Sequence, residues 1–188
     1  MKISVGITIA AMMLVLGLSA VSADAKRPAT DDGMYSGLRD MTLHMKPEDL
    51  GLNPADREPY AVVMDLDMNG YTATITSFAT GDASLYLSTG GGTIGAGQAS
   101  EDVSRAAKKF VRTAAAHLDS LTKADSQPLP KSGEVIFYVM TSGGIYSASR
   151  SQQSLGEGRD DLSPLFYSGQ EVLTQIRLLK DSQTGRRR

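Results

Sequence analysis

The sequence contains no cysteine. That excludes disulfides, thiol nucleophiles and cysteine-bound metals, and it removes the residue that would carry the lipid of an exported lipoprotein. Tryptophan is also absent, and histidine occurs only as His44 and His117. No H-x-x-x-H, H-E-x-x-H or G-x-S-x-G pattern exists to place a metal or a nucleophile. Charge of one sign is lacking as well: 19 basic and 21 acidic residues leave a formal net charge of −2. A balance so close to zero gives no electrostatic footprint for nucleic acid. Stability has to come from packing alone.

Long apolar runs are missing everywhere except at the start. Met1-Lys2 is followed by an apolar stretch from Ile3 to Leu18, and then by Ser19-Ala20-Val21-Ser22-Ala23-Asp24-Ala25. A positive start, an apolar middle and small residues at Ala23 and Ala25 are the three parts of a secretory signal of the bacterial type. Cleavage is expected after Ala25, giving a periplasmic or secreted protein with no stable membrane insertion. The rival is an uncleaved N-terminal anchor, since Ile3 to Ala23 is long enough to cross a bilayer of about 30 Å. Gly6, Thr8, Gly17, Ser19 and Ser22 dilute that run. Cleavage would remove one basic and one acidic residue, Lys2 and Asp24, and leave the net charge unchanged.

Residues 26–59 read as an entry segment broken by Pro28, Pro47, Pro54 and Pro59, with a short helix around Met34 to Met45. The clearest pattern starts at Tyr60. Tyr60, Val62, Met64 and Leu66 alternate with Ala61, Val63, Asp65 and Asp67; Asn69-Gly70 follows, and then Tyr71, Ala73 and Ile75 alternate with threonines. This is a β-hairpin closed by a type I′ turn. A third strand is expected over 83–89. Beyond a glycine-rich stretch, Ser100 reads as an N-cap, with Glu101 and Asp102 suited to the positive end of the helix dipole. Val103, Ala107, Phe110, Ala114, Leu118 and Leu121 then form one apolar stripe.

Residues 134–141 are apolar on both faces, the mark of a central strand covered on both sides. Gly143-Gly144 turns the chain into a partner strand, residues 150–162 read as a polar loop, and Ser163-Pro164 starts a last helix near Leu165 to Lys180. The expected fold is therefore α+β: an antiparallel sheet of about five strands with two main helices on one face, in the order β-β-β-α-β-β-α. The division runs 1–25 signal peptide, 26–59 entry segment, 60–181 single α+β domain and 182–188 disordered tail.

Each stretch with the look of a site also has a plainer reading. Gly90, Gly91, Gly92 and Gly95 satisfy G-x-G-x-x-G between a strand and a helix, where backbone amides could cradle an anion. Against a dinucleotide site, the helix cap at Ser100 lies beyond the motif, and the position about 20 residues on, which should be acidic, falls near Arg112. Asp65-x-Asp67-x-Asn69-Gly70 copies the front of a calcium loop, but Thr76 stands where a bidentate glutamate would close it. The plain reading is two outward carboxylates before a turn, so no metal and no cofactor is implied. His117 sits at the edge of the helical stripe. Glu157, Asp160 and Asp161, with Arg150 and Arg159, crowd the polar loop and fit a solvated surface.

No catalytic set stands out. The expectation is an exported, non-enzymatic binding or protein-interaction domain of the cell envelope, with a protein partner or self-association and no nucleic acid. The second apolar face of 134–141 wants cover, from the entry segment or a second subunit. The alternative is a small-ligand or anion-binding protein, or a hydrolase-type enzyme, using the Gly90–Gly97 loop with His117.

Overall fold

In the computed structural model, which describes residues 33–185, the chain enters the fold through a ten-residue helix, α1 (Met34–Leu43), and a 3-10 turn at Pro47–Leu50. The expected signal segment, its cleavage site and Arg186 to Arg188 lie outside the described residues. Two strands follow, β1 (Ala61–Asp67) and β2 (Thr72–Phe78), paired antiparallel from Ala61↔Phe78 to Asp67↔Thr72. Their register is set by Asn69 and Gly70, both with left-handed φ (56° and 107°), between Met68 and Tyr71, whose N–H···O bond is 2.8 Å. That is the type I′ geometry the sequence encodes.

β3 (Ala83–Leu87) adds to β2, and a two-residue strand, β4 (Gly92–Thr93), adds to β3. A single helical turn, α2 (Ala96–Ala99), leads into α3 (Glu101–Ala116). Ser100 caps α3 through its side-chain oxygen, which accepts from Val103 N. The two-residue β5 (Thr122–Lys123) precedes β6 (Glu134–Thr141) and β7 (Gly144–Ser151), which form the second hairpin. A short α4 (Gln152–Gly156) and the long α5 (Ser163–Gly185) complete the described chain.

The sheet is antiparallel throughout, in the order β4-β3-β2-β1-β6-β7-β5. β1 sits at its centre, between β2 and β6, and both edges end in two-residue strands that offer little backbone for unwanted pairing. The mixed helix-and-strand class and the antiparallel sheet match expectation. The counts match only roughly: among the described residues there are seven strands and five α-helices, because β4, β5, α2 and α4 are too short to carry a readable period. α5 also runs past its expected end, to Gly185.

The two main helices, α3 and α5, lie on one face as expected, and the short α1 lies on the other. One sheet face, with Val62, Met64, Leu66, Ile75, Val135, Phe137 and Val139, packs on α3 and α5. The other, with Ala61, Val63, Phe78, Ile136, Tyr138 and Met140, is covered by Leu43 of α1 and by Met45, Leu50 and Leu52. Helices thus lie on both faces, and the entry segment from residue 33 onward is part of the packed fold. It supplies the cover that the two-sided strand β6 demands.

Candidate functional site

α1 turns Tyr35, Arg39, Thr42 and Leu43 inward, at the i, i+4, i+7, i+8 spacing of one helical face. Three of those four are polar. Beneath them, the two-residue alternation of β1 places Asp65 on the same side as Ala61 and Val63, and its exposure is 0%. The surface reading of Asp65 is therefore corrected. β1 is covered on both faces, so a carboxylate in either phase of the strand is buried, and it needs a cation.

Arg39 is that cation. Its Nε donates to Asp65 Oδ2 at 2.8 Å, and its Nη2 stands 2.6 Å from the same oxygen. Thr74, directly opposite Asp65 in β2, donates its hydroxyl to Oδ1, and Tyr35 Oη lies 2.8 Å from Thr74 Oγ1. The remaining reach of the guanidinium goes to the chain before β6: Nη1 donates to Gln127 O at 3.0 Å and Nη2 to Pro128 O at 3.2 Å. Tyr138 donates its hydroxyl to the same Pro128 carbonyl and lies under the guanidinium, 5.3 Å from ring centre to Cζ. One ion pair thus ties together α1, β1, β2, β6 and the segment before β6.

Burial pushes the Asp65 carboxyl above its ordinary range, opposed by the Arg39 charge and by hydrogen bonds from Arg39 and Thr74. Burial pulls the Arg39 guanidinium down, but Asp65 more than offsets that, so Arg39 is held charged. The phenols of Tyr35 and Tyr138 are both raised to about 12, burial being the largest cause.

An open groove of about 460 Å³ runs along α1 beside this cluster, lined by the Gly33–Gly37 turn, Arg39, Asp40 and Leu129. On the outer side of the helix, Met34 and Met41 are 67% and 53% exposed, with Leu38 half-buried between them. A second open groove, of about 330 Å³, follows the solvent face of α3 past Glu101, Ser104, Arg105, Lys108 and Arg112.

The residues singled out from sequence lie elsewhere. Gly90 and Gly91 form the turn between β3 and β4, where Gly90 N donates to Leu87 O and Leu87 N donates to Gly91 O. Gly92 passes so close to β3 that a Cβ there would stand 2.1 Å from Leu85 O. Gly95 caps α2 and donates its amide to Ser84 Oγ. Gly97 lies on the β2–β3 turn, and a Cβ would stand 2.0 Å from Gly81 O. Packing and turn geometry thus occupy these glycines.

His117 is the half-buried C-cap residue of α3. The glycines gather near the start of that helix, and its 16 residues span about 24 Å. The structure therefore does not bring His117 and the glycine run together, and neither groove is lined by any of them. Asp67 is also turned to structural use, accepting from Gly133 N at 3.0 Å. Among the described residues no group of three or more histidine, cysteine, aspartate or glutamate side chains could hold a metal ion.

In the loop before α5, Asp160 accepts from Leu162 N and donates its own amide to Ser163 Oγ, which fixes the start of α5. Arg150 lies 3.4 Å from Asp160 and 3.9 Å from Asp161. Glu157 pairs with Arg159. Sequence reasoning missed Arg39 altogether. The signal for it was Asp65, placed in phase with Val63 on a strand apolar in both phases. No helix among the described residues is long and apolar enough to cross a membrane. No family model, no curated protein and no solved structure matches this chain.

Proposed function

We propose that this chain is an exported, non-enzymatic interaction module of the cell envelope, with its contact surface on the α1 side of the sheet. The observation that carries this reading is the outer stripe of α1. Met34 and Met41, seven residues apart on one face with Leu38 between, expose apolar surface on a helix whose inner side is fixed by Arg39. Methionine adapts its shape to different partners and recurs at binding surfaces. Leu129, 48% exposed, extends apolar surface into the adjoining groove. The signal-like segment 1–25 supports export.

The alternative, an anion nest at Gly90–Gly97, has less support. The amides of Gly90 and Gly95 already donate within the chain, to Leu87 O and Ser84 Oγ.

Site-specific photo-crosslinking in the exporting cell tests the proposal. A crosslinker in place of Met41 should give a discrete protein adduct, and one in place of Thr174, exposed on α5, should give none. Equal adducts at both positions, or none at Met41, would reject it.

A further inference from the structure

The outer side of α3 carries charge of one sign. From Val103 to Leu118 the chain holds four basic residues, Arg105, Lys108, Lys109 and Arg112, and no acidic one. All four are exposed, and the helical period gathers them opposite Val103, Ala107, Phe110 and Ala114, which face the sheet. Arg105 and Arg112, about 10 Å apart along the axis, point straight away from the core, with Lys108 and Lys109 to either side. Among the described residues Lys108, Lys109 and Arg112 pair with no carboxylate, and Arg105 is held only by the exposed Asp102. The groove of about 330 Å³ on this side passes Ser104, Arg105, Lys108 and Arg112, with Glu101 at its N-terminal end. Gly81 lies beside Ser104 and Lys108: its φ is 98°, and a Cβ there would run into Ser104 Oγ and stand 2.7 Å from Lys108 Cε. The Lys108 stem is therefore laid against the β2–β3 turn, with its ammonium near the Ser104 hydroxyl.

α5 packs beside α3 on the same sheet face, Thr113 Oγ1 standing 3.1 Å from Ser168 Oγ. Its outward side shows Tyr167 and Leu178, three turns apart and 47% and 56% exposed, with Glu171 between them as the opposing charge. The layer on the other sheet face has the opposite sign. Between Asp40 and Leu52, Asp40, Glu48 and Asp49 outnumber Lys46, and all four are exposed.

We propose that the outer side of the α3–α5 layer docks on an anionic phospholipid surface, with headgroup phosphates along Arg105, Lys108 and Arg112. Charge complementarity sets the occupant. The groove is open to water, so a single free phosphate gains little from any one cation there. A lipid surface presents many phosphates in one plane and meets all four cations together. Tyr167, an aromatic ring with a polar tip, and Leu178 suit the headgroup boundary. The acidic α1 side is repelled, which keeps Met34 and Met41 turned away from the lipid. This surface is separate from the α1 stripe, and either can hold without the other.

The test is co-sedimentation of the protein, as isolated from the exporting cell, with vesicles of phosphatidylglycerol and phosphatidylcholine, against phosphatidylcholine alone. Every arm carries the same N-terminus, so differences between arms report the charges. Binding to the mixed vesicles is expected, weakening as salt rises. Lys108→Gln with Arg112→Gln should lower partitioning about 25-fold at low salt, about fivefold for each cation lost. An unchanged melting temperature checks that the fold survives, and Lys108→Arg with Arg112→Lys, which keeps both charges, should bind as the parent does. Lys46→Gln with Lys131→Gln removes the same charge elsewhere and should leave binding unchanged. Equal binding to both kinds of vesicle, or equal weakening by the two charge-removing pairs, overturns the proposal. Release from the vesicles by inorganic phosphate at constant ionic strength also overturns it, because the ligand would then be a soluble phosphate.

Discussion

Among the described residues, the Asp65 carboxylate, with no exposure, is balanced by one guanidinium and one threonine hydroxyl. Breaking such a pair inside a closed core costs about 3–5 kcal/mol, because the surviving charge stays buried. Here the surviving charge has an exit, since opening of α1 would let water reach Asp65. Arg39→Met should therefore lower the free energy of global unfolding by less than about 3 kcal/mol, while α1 itself loses its protection. Adding Asp65→Leu should restore much of the loss. Denaturant unfolding of the two variants checks both points, and a full-sized loss in Arg39→Met with no rescue would mean that α1 cannot open.

The phenols of Tyr35 and Tyr138 give a second handle at the same scale. Both are raised to about 12, so the folded state holds these protons more tightly than the unfolded chain, whose phenols titrate near 10. Their contribution is fully present below pH about 10 and is lost as pH rises toward 12. Unfolding free energy measured against pH should fall across that interval. Phenolate absorbance should show at least two of the seven tyrosines ionising late. All seven ionising together near pH 10 in the folded chain would contradict the burial described.

At the scale of elements, the hairpins and α3 were legible because their signals are local. Asn69-Gly70 encodes its turn, Ser100 its cap, and the Val103-to-Ala114 stripe its buried face. β4, β5, α2 and α4 were not legible, being two to five residues long and defined by what they pack against. The glycine run shows the same limit. Spacing alone resembles a phosphate loop, yet Gly92 and Gly97 are there because backbone passes backbone. Gly97→Ala should accordingly destabilise the protein more than Ser100→Ala, for which loss of the cap costs about 1 kcal/mol. Thermal denaturation of the two variants checks the order. A neutral Gly97→Ala would mean that α2 does not sit on the β2–β3 turn as described.

At the scale of the whole molecule, sequence correctly demanded cover for both faces of β6 but could not say which segment would provide it. That answer depends on long-range partners, Arg39 with Asp65 and with the carbonyls of Gln127 and Pro128, and no local period reports them. Two faces of one sheet are thereby closed in different ways. α3 and α5 close the first with apolar side chains, whereas on the second α1 adds the bonds of Arg39, Tyr35 and Thr42 to the apolar cover of Leu43, Met45, Leu50 and Leu52. A fold built so unevenly opens unevenly, its least apolar layer first. Native-state hydrogen exchange measures that opening directly. Amides 38–43 of α1 should exchange through an opening well below the free energy of global unfolding, Gly37→Ala should slow them, and β1 and β6 should exchange only on global unfolding. Exchange of α1 at the same free energy as β1 and β6 would contradict this order, and α1 would then be a permanent wall of the core.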